Sequence, residues 1–453
     1  MTHRATVPST ALALVVCAAS AASGQELIRP VGEGPFTWSA YEAFAAAHDF
    51  AGEVLEVRGS STGDDKTKLG NLFAYFEAAT GAEVRLSGSD NFEQDIVIAA
   101  QSETLPEIAM FPQPGLAEEM AAQGHLVALS DDNRAWFEEN FAAGASWADL
   151  VTYAGPDGTE RIYGTIFGAD VKSLVWYSPI AFDEMGYDIP ESMEELKELT
   201  EQIVSDGGTP WCIGLGSGAA TGWPGTDWVE EFLLRTQPVE VYDQWVANEI
   251  PFDDPRIVAA IEEYGWFARN EDFVVDGVEA VASKDFRDSP AGLFTIPPEC
   301  YMHRQASFVP NFFPEGVEVG SDAEFFYFPA YADKDLGQPV LGSGGVIAAT
   351  TDRPVAMAFV EFLKTPVAHE IQISQGQFLT PHLKASKEAY QNETQATQGE
   401  ILTNATTFRF DGSDLMPAEI GTSAFWSAMV DYQTGASAEA VARDVQERWS
   451  RID

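Results

Sequence analysis

Short apolar runs alternate with amphipathic stretches along this chain, and this alternation restricts its fold more than any other feature. Residues 53–58 (Glu-Val-Leu-Glu-Val-Arg) alternate apolar and polar side chains, as a half-buried strand does. An apolar face of helical spacing follows at Leu69, Leu72, Phe73 and Phe76. Further strand patterns lie at residues 84–86, 108–111, 173–177, 325–329 and 345–349, and further helix patterns at 91–103, 116–122, 193–203, 354–363 and 437–450. Strands that alternate with helices predict an α/β fold with a parallel, doubly wound sheet.

The first 24 residues have the form of an export signal. His3 and Arg4 precede an apolar run at residues 11–19, and residues 22–24 (Ala-Ser-Gly) are a small-x-small cleavage site. A membrane anchor is one alternative, but spanning a bilayer takes about 20 apolar residues and this run is far shorter. A lipid anchor on Cys17 is a second alternative. We expect a signal peptide cleaved near residue 24 and a periplasmic protein long enough for two or three domains.

Acidic residues far outnumber basic ones. The chain has 71 Asp and Glu against 25 Lys and Arg, a formal net charge of −46. Such a surface repels phosphate backbones and anionic lipid, so the composition argues against nucleic-acid and membrane-surface binding. The charge is spread along the chain and not gathered in a tail, which indicates a solubility feature.

Three cysteines limit the covalent and metal chemistry open to the chain. Cys17 lies in the export signal, which leaves Cys212 and Cys300 in the mature protein. Two cysteines in an exported chain predict one disulfide, and two free buried thiols are the alternative. The six histidines are scattered, and none lies at ligand spacing from a cysteine, so we expect no metal and no cofactor.

Motifs of catalysis are sparse. The sequence carries neither an H-E-x-x-H zinc helix nor a Walker loop. Residues 214–218 (Gly-Leu-Gly-Ser-Gly) are similar to a dinucleotide-binding turn, but Ala219 and Ala220 displace the third glycine. A glycosidase needs only two well-placed carboxylates, whose separation a sequence does not reveal, so a secreted glycoside-active enzyme stays an alternative. We expect a binding protein and no enzyme.

Several segments carry a resemblance to a known family. They are residues 80–84 with 88–93, 105–109 (Leu-Pro-Glu-Ile-Ala), 211–214 with 219–224 and 227–228, 300–306, and 423–426. In this order and spacing, the chain resembles the extracellular solute-binding proteins of bacterial ATP-driven (ABC-type) sugar importers. Within that family it looks like the alpha-glucoside-binding branch, and it is similar more distantly to maltose-binding protein.

The resemblance implies a two-lobed periplasmic binding protein fold (type II-like), with a doubly wound sheet in each lobe and a hinge between the lobes. By this analogy one lobe holds residues 25–150 and 330–380, and the other holds 151–329 and 381–453. A sugar, an alpha-glucoside or another di- or oligosaccharide, would be captured in the cleft and buried by hinge closure. The family also implies a monomer that delivers the sugar to membrane permease subunits.

Sugar recognition needs flat apolar faces, and four aromatic residues are candidates. The resemblance implies a sugar-stacking role for Trp426, with core packing as the alternative. Trp223 lies in a segment rich in Gly and Pro, where binding and core packing both stay open. Trp228 lies at a predicted helix start, where core packing is the stronger interpretation. Tyr301 either lines the cleft or packs on the predicted disulfide.

Recognition of hydroxyl groups also needs fixed polar side chains. Asp170 and Lys172 precede a predicted strand, and the resemblance implies an acidic ligand contact there; an exposed ion pair is the alternative. Gln113 follows a strand end at which the family has charged contacts, so its neutrality departs from the family pattern. Glu299, in the loop before Cys300, is a further candidate.

Two short segments complete the predicted site. Ser89, Asp90 and Asn91 lie between a strand and a helix, where they either cap the helix or bind ligand at the carboxyl end of the sheet. Ser343 and Gly344 offer backbone donors near the predicted crossover between the lobes, and an ordinary turn is the alternative. A binder of a polyamine, an amino acid or a metal also stays open, because acidic and aromatic residues together suit an amine as well.

Overall fold

The structure is a computed structural model that describes residues 27–142, 144–376, 378–405 and 407–452. The predicted signal peptide (residues 1–24), with Cys17 and its alternative lipid anchor, lies outside the described residues. In the part of the chain that the structure describes, no helix combines the length and the apolar composition that crossing a bilayer requires.

Strands of three to eleven residues are distributed along the described chain. They are β1 (Val54–Gly59), β2 (Glu83–Gly88), β3 (Ile108–Phe111), β4 (Thr152–Ala154), β5 (Glu160–Ile162), β6 (Gly164–Val171), β7 (Leu174–Tyr177), β8 (Met302–Arg304), β9 (Glu324–Tyr327), β10 (Pro339–Ala349) and β11 (Thr407–Phe410).

Helices make up most of the remaining regular structure. They are α1 (Trp38–Ala47), α2 (Gly63–Thr80), α3 (Phe92–Gln101), α4 (Pro114–Ala122), α5 (Asn133–Asn140), α6 (Gly144–Asp149), α7 (Pro179–Met185), α8 (Met193–Ser205), α9 (Trp223–Thr236), α10 (Val239–Val246), α11 (Pro255–Ala268), α12 (Val278–Val281), α13 (Pro354–Leu363), α14 (Pro366–Ile373), α15 (Glu393–Asn404), α16 (Gly412–Leu415), α17 (Trp426–Gln433) and α18 (Ala438–Ile452).

The alternation predicted for the first third of the chain is confirmed. The elements β1, α2, β2, α3, β3 and α4 follow one another in that order. Strand β1 lies between β2 and β3 and is parallel to both, with Val57 opposite Leu86 and Ile108. Helix α2 ends at Thr80 because Gly81 adopts a φ of 76° and donates its N–H to the carbonyl of Glu77.

Strand β10 makes the large sheet a mixed one. The strand order is β11-β10-β3-β1-β2, and β6 also pairs with β10. Val346 of β10 lies opposite Phe111 of β3 and Ile166 of β6, both antiparallel, whereas β11 is parallel to β10. The predicted parallel arrangement therefore describes β1, β2 and β3 and the β10–β11 pair, but not the pairs that β10 forms with β3 and β6.

The second sheet differs from the doubly wound sheet that the sequence predicts for each lobe. It has the order β8-β7-β9, and both neighbours of β7 are antiparallel to it. Antiparallel strands need no crossover helix between them. The helices α8 to α11, which lie in sequence between β7 and β8, are therefore free to build a core of their own.

Two hydrophobic cores are present among the described residues. The first packs on the large sheet, and Phe73 of α2 meets Phe359 of α13 edge-on at 4.9 Å between ring centroids. The second surrounds α9, where Trp228 lies 5.4 Å from Phe267 of α11. The first core also includes Phe410 of β11. The exact limits predicted for the two lobes stay a prediction.

The predicted disulfide between Cys212 and Cys300 is confirmed, with Cα atoms 5.6 Å apart. Both cysteines are buried, at 2% and 0% exposure. Gly292 packs on the bridge, and a Cβ at that position would lie 2.8 Å from Cys300 Sγ. The alternative of two free thiols is thus excluded.

Candidate functional site

A cavity opens where the large sheet meets the second core. Residues 60–62 and 112–113, which follow the carboxyl ends of β1 and β3, line one side of it. The opposite side is lined by Trp223 at the start of α9, by Asp411 before α16, and by Trp426 at the start of α17. The cavity has a volume of about 250 Å³. Open α/β sheets bind ligands at the carboxyl ends of their strands, so this cavity is the candidate site.

Aromatic side chains form much of the cavity wall. Trp223 packs edge-on against Phe286, with ring centroids 4.9 Å apart, and lies 6.1 Å from Phe308. Phe312 completes this cluster at 5.4 Å from Phe286. Trp223 is half-buried and Trp426 is 4% exposed. The wall therefore offers flat apolar faces with different degrees of exposure.

Gly222 lets the two tryptophans reach the same cavity. Its φ of 115° lies in the region that favours glycine, and a Cβ there would lie 2.1 Å from the carbonyl oxygen of Trp426. The turn before α9 thus packs against the backbone at the start of α17. Any side chain at position 222 would push these helix starts apart.

Lys172 holds the floor of the cavity through buried ion pairs. Its Nζ lies 2.8 Å from Asp227 Oδ1 and also contacts the Asp411 carboxylate. The three residues are 4%, 0% and 2% exposed. Burial lowers the pKa of Lys172, but the two carboxylates outweigh burial and raise the pKa well above its ordinary value. The alternative of an exposed ion pair at this position is therefore wrong.

Further buried ion pairs lie behind Lys172. Arg304 of β8 lies 3.3 Å from Asp227 and 3.0 Å from Glu231, both on α9, and Glu231 also contacts Arg235. Breaking one partner of such a pair leaves an uncompensated charge in the interior. The network therefore fixes the elements that carry the cavity floor.

Several buried polar atoms of cavity-lining residues lack a hydrogen-bond partner. Within the described ranges no partner reaches Gln372 Oε1 or Nε2, Gln113 Oε1, Asp65 Oδ1 or Trp426 Nε1. Buried polar groups are normally paired, and each unpaired one costs about 1–3 kcal/mol. The set contains both donors and acceptors, which matches the needs of a ligand that carries hydroxyl groups.

Asp170 is a buried carboxyl group of the cavity on β6. It is 2% exposed and accepts a hydrogen bond of 2.9 Å from Ser307 Oγ. Burial raises the pKa of Asp170 to about 7, although Ser307 and Lys172 oppose the rise. Burial likewise raises the pKa of Asp65 to about 6. Both groups exchange protons near neutral pH.

This pKa predicts a pH effect on stability. The folded-state pKa of Asp170 lies above its ordinary value of 3.8. The contribution of Asp170 to the free energy of unfolding is therefore fully present below pH 3.8 and is lost as pH rises to about 7. Relative to Asp170→Asn, the wild type should lose up to about 1.4 kcal/mol of unfolding free energy per pH unit over that interval. Urea unfolding at pH 4.5, 5.5, 6.5 and 7.5 measures the difference. A constant difference would contradict the assignment.

An ion pair lies at the exposed rim of the cavity. Arg287 donates to Asp90 Oδ1 at 2.9 Å and lies 3.3 Å from Asp285. The Arg287 guanidinium stacks over Phe286 at 4.6 Å from the ring centroid. Asp90 follows β2, and Arg287 comes from the segment before β8. The pair therefore joins the two sides of the cavity.

The structure brings together eight of the residues that the sequence proposes for the site. Those that line the cavity are Asp90, Gln113, Asp170, Lys172, Trp223, Ser343, Gly344 and Trp426. They come from five distant parts of the chain, and β10 contributes Ser343 and Gly344 from its centre. Those two residues lie in a strand, so the alternative of an ordinary turn is wrong.

The remaining proposed residues lie outside the cavity lining. Ser89 donates to Asp95 and accepts the N–H of Asn91, which are local contacts at the start of α3. Trp228 is 2% exposed and packs edge-on on Trp211 in the second core.

Two more proposed residues lie near the disulfide. Tyr301 packs edge-on on Tyr187 at 5.4 Å between ring centroids, and Glu299 is exposed. Both cysteines pack in the first core and Tyr301 packs in the second, and neither Tyr301 nor Glu299 lines the cavity.

Sequence reasoning missed several lining residues. Asp65, Phe312, Gln372 and Asp414 line the cavity, and none lies in a motif. One signal could have found the first: residues 59–63 (Gly-Ser-Ser-Thr-Gly) form a strand-to-helix turn between β1 and α2. The spacing G-x-S-x-G in this context is typical of a hydrolase nucleophile. Among the described residues, however, no histidine lines the cavity.

Comparison with known proteins identifies the relatives of this chain. The family model described as "Bacterial extracellular solute-binding protein" matches residues 59–370. The chain is 54% identical to the alpha-glucosides-binding periplasmic protein AglE of Rhizobium meliloti (strain 1021) over 425 residues, covering 94% of this chain and 93% of AglE. It is 39% identical to the osmoprotective compounds-binding protein GgtB of Synechocystis sp. over 397 residues, covering 88% and 92%.

Solved structures are similar in fold. The bacterial solute receptor AcbH, described as preferring β-D-galactopyranose, matches with a TM-score of 0.74 at 17% identity and covers 88% of this chain and 99% of its own. The solute-binding protein RafE in complex with raffinose matches with a TM-score of 0.67 at 18% identity, covering 88% and 99%. These likenesses confirm the two-lobed α/β fold.

Proposed function

Since this chain belongs to the bacterial extracellular solute-binding proteins, we propose that it captures a sugar in the cavity between its two cores and presents it to a membrane importer. The sugar class is an alpha-glucoside or another small oligosaccharide. The protein acts in the periplasm, releases the sugar unchanged and carries out no chemistry on it. Permease subunits of an ATP-driven importer are the proposed partners.

The unpaired polar atoms of the cavity carry this proposal. Gln372 is 1% exposed, and both polar atoms of its amide lack a partner within the described chain. Gln113 adds an unpaired acceptor, and Trp426 adds an unpaired donor. A hydroxyl group both donates and accepts, so the hydroxyl groups of a sugar match the donors and the acceptors of this set. The stability lost through unpaired groups in the empty protein is recovered when the sugar binds.

Aromatic faces support the same proposal. Trp223 and Trp426 line the cavity together with Phe286 and Phe308. The C–H faces of a sugar ring are apolar and pack on such side chains, while the hydroxyl groups at the ring edge reach the polar atoms. The relative AglE is an alpha-glucosides-binding protein, and alpha-glucosides are polyhydroxyl ligands of this kind.

Calorimetric titration with maltose, sucrose, trehalose, raffinose, free amino acids and spermidine tests the proposal. We expect at least one sugar to bind with a Kd in the micromolar range or below, about −8 kcal/mol or better. The sugar should be recovered unchanged after incubation, whereas a glycoside-active enzyme would release products. Absence of binding by every sugar would contradict the proposed function.

Gln372→Leu is expected to weaken sugar binding at least tenfold without lowering stability. The substitution removes two ligand hydrogen bonds, and it also removes an amide that is unpaired in the empty protein. Gln398→Leu is the matched control, because Gln398 is 2% exposed and also has an unpaired Nε2 but does not line the cavity. Calorimetry and urea unfolding of both variants supply the comparison. Equal effects of the two substitutions on affinity would contradict the role of Gln372.

A second candidate, capture of a polyamine, is favoured by the acidity of the cavity. Six carboxylates line it against two cationic side chains. An ammonium group donates hydrogen bonds but accepts none, so it would leave Trp426 Nε1 and Gln372 Nε2 unpaired. The sugar therefore remains the better match. Binding of spermidine in the absence of binding by any sugar would reverse this order.

A further inference from the structure

The polar lining of the cavity carries an excess of negative charge. Its carboxyl groups belong to Asp65, Asp90, Glu93, Asp170, Asp411 and Asp414, and its cations to Lys172 and Arg287. Burial raises the pKa of Asp65 to about 6, that of Asp170 to about 7 and that of Asp414 well above its ordinary value. Within the described residues Asp65, Glu93 and Asp170 take part in no ion pair, and at pH 7.5 the excess of negative charge rests mainly on these three groups.

Both cations are already neutralised by the protein. Lys172 is held between Asp227 and Asp411, and burial leaves it 4% exposed. Arg287 donates to Asp90 at 2.9 Å and lies 3.3 Å from Asp285. An anionic ligand would have to break one of these pairs to gain a counter-ion, which would leave a carboxylate uncompensated.

Helices α2 and α3, which begin at the cavity, offer no free positive end either. The N-terminus of a helix carries partial positive charge and is a usual place for a phosphate group. In α2 the first turn contains Asp64 and Asp65, and in α3 it contains Glu93 and Asp95. Asp65 and Glu93 line the cavity, so at these two helix starts carboxyl groups of the chain itself occupy the positions that an anionic ligand would need.

We propose that this cavity selects its ligand by charge: it accepts uncharged polyhydroxyl solutes and excludes anionic sugar derivatives such as sugar phosphates and uronates. The inference rests on the proposed function and narrows its substrate class. Like charges repel strongly in a cavity where water is largely displaced, because the local dielectric constant is low. The carboxylates accept hydrogen bonds from the hydroxyl groups of a neutral sugar, but they repel a phosphate or carboxylate attached to the same ring.

Calorimetry at pH 7.5 compares the sugar that binds most tightly among maltose, sucrose and trehalose with the 6-phosphate of the same sugar. We expect the phosphate to bind at least 30-fold more weakly. At pH 5.5 the ratio of the Kd of the sugar phosphate to the Kd of the sugar should shrink at least threefold. Both the ligand phosphate and Asp65 become more protonated at this pH, since burial raises the pKa of Asp65 to about 6. A steric obstacle would not respond to pH.

Charge-neutralising variants separate repulsion from size. Asp65→Asn and Glu93→Gln each keep the shape of the side chain and remove its charge. The variant that carries both substitutions should reduce the ratio of the two Kd values at pH 7.5 at least tenfold. Asp64→Asn is the control, because its carboxylate lies in the same helical turn but does not line the cavity. The ratio in this control should equal that of the wild type.

Three outcomes would overturn the inference. The first is binding of sugar and sugar phosphate within threefold of each other at pH 7.5, and the second is a ratio that does not change with pH in the wild type. The third is an unchanged ratio in the double variant. If the wild type binds none of the sugars, the proposed function itself is contradicted, and the charge selection with it.

Discussion

Replacing Lys172 with methionine is expected to lower the free energy of unfolding by about 3–5 kcal/mol. The ammonium group is the counter-ion of Asp227 at 2.8 Å and of Asp411, and all three side chains are buried. Burial alone would raise the pKa of Asp411, but Lys172 helps to lower it to about 2. Without the lysine, the protein must either bury unpaired carboxylates or bind protons. Urea unfolding at pH 7.5 measures the loss.

The sign of the pH dependence distinguishes this explanation from simple loss of packing. Asp411 has a depressed folded-state pKa, so its contribution is present above its ordinary pKa of 3.8 and is lost as pH falls toward about 2. The penalty of Lys172→Met should therefore shrink as pH falls from 3.8 toward about 2. A penalty that is the same at about pH 2.5 and at pH 7.5 would indicate packing alone.

Two further variants control for the loss of a lysine. Lys384→Met removes an exposed partner of Glu139, with side chains 54% and 73% exposed, and should change stability by less than about 1 kcal/mol. Lys172→Met/Asp411→Asn removes both charges of the buried pair and should recover most of the loss. A double variant no more stable than Lys172→Met would contradict the role of charge compensation.

Trp426→Ala is expected to weaken sugar binding about 100-fold. The substitution removes an aromatic face of the cavity and the unpaired Nε1 donor. Loss of apolar contact together with one buried hydrogen bond amounts to about 2–3 kcal/mol, and about 1.4 kcal/mol corresponds to a tenfold change in Kd. Calorimetric titration of the variant with the sugar that binds the wild type most tightly provides the measurement.

Two further variants show what causes the loss of affinity. One distinguishes stacking from hydrogen bonding, and the other controls for the loss of a tryptophan elsewhere in the protein. Trp426→Phe retains a ring face but not the N–H donor, and should weaken binding about tenfold. Trp266→Ala removes a half-buried tryptophan on α11 that packs on Phe267 outside the cavity, and should leave the affinity unchanged. If Trp426→Ala binds within threefold of the wild type, the stacking role is wrong.

Local patterns were sufficient to predict the elements at the start of the chain. The apolar spacing at residues 69–76 lies within α2, and residues 108–111 form β3 as predicted. Asp90 and Gln113 could be proposed for the site because each follows a strand, and ligands bind at the carboxyl ends of strands in such sheets. Both line the cavity. This reasoning works because strand and helix periods are properties of neighbouring residues.

Local patterns were insufficient where two similar residues face different ways. Trp223 and Trp228 are five residues apart on α9, which corresponds to about 140° around a helix. Trp223 consequently lines the cavity, whereas Trp228 packs in the second core. The segment predicts a helix start, but only the packing of α9 against its neighbours decides which tryptophan faces the ligand.

The sequence by itself determined the α/β class, the family resemblance and the candidate strand ends, because these depend on residue types and spacing within short segments. It also determined the disulfide partners, because only two cysteines follow the predicted signal peptide. Only the tertiary structure decided that Gln372, Asp414 and Phe312 line the same cavity as Trp426. These residues are brought together by β10, by the Gly222 turn and by the buried pairs of Lys172. Those contacts join residues far apart in the chain, and no local period reports which of them will meet.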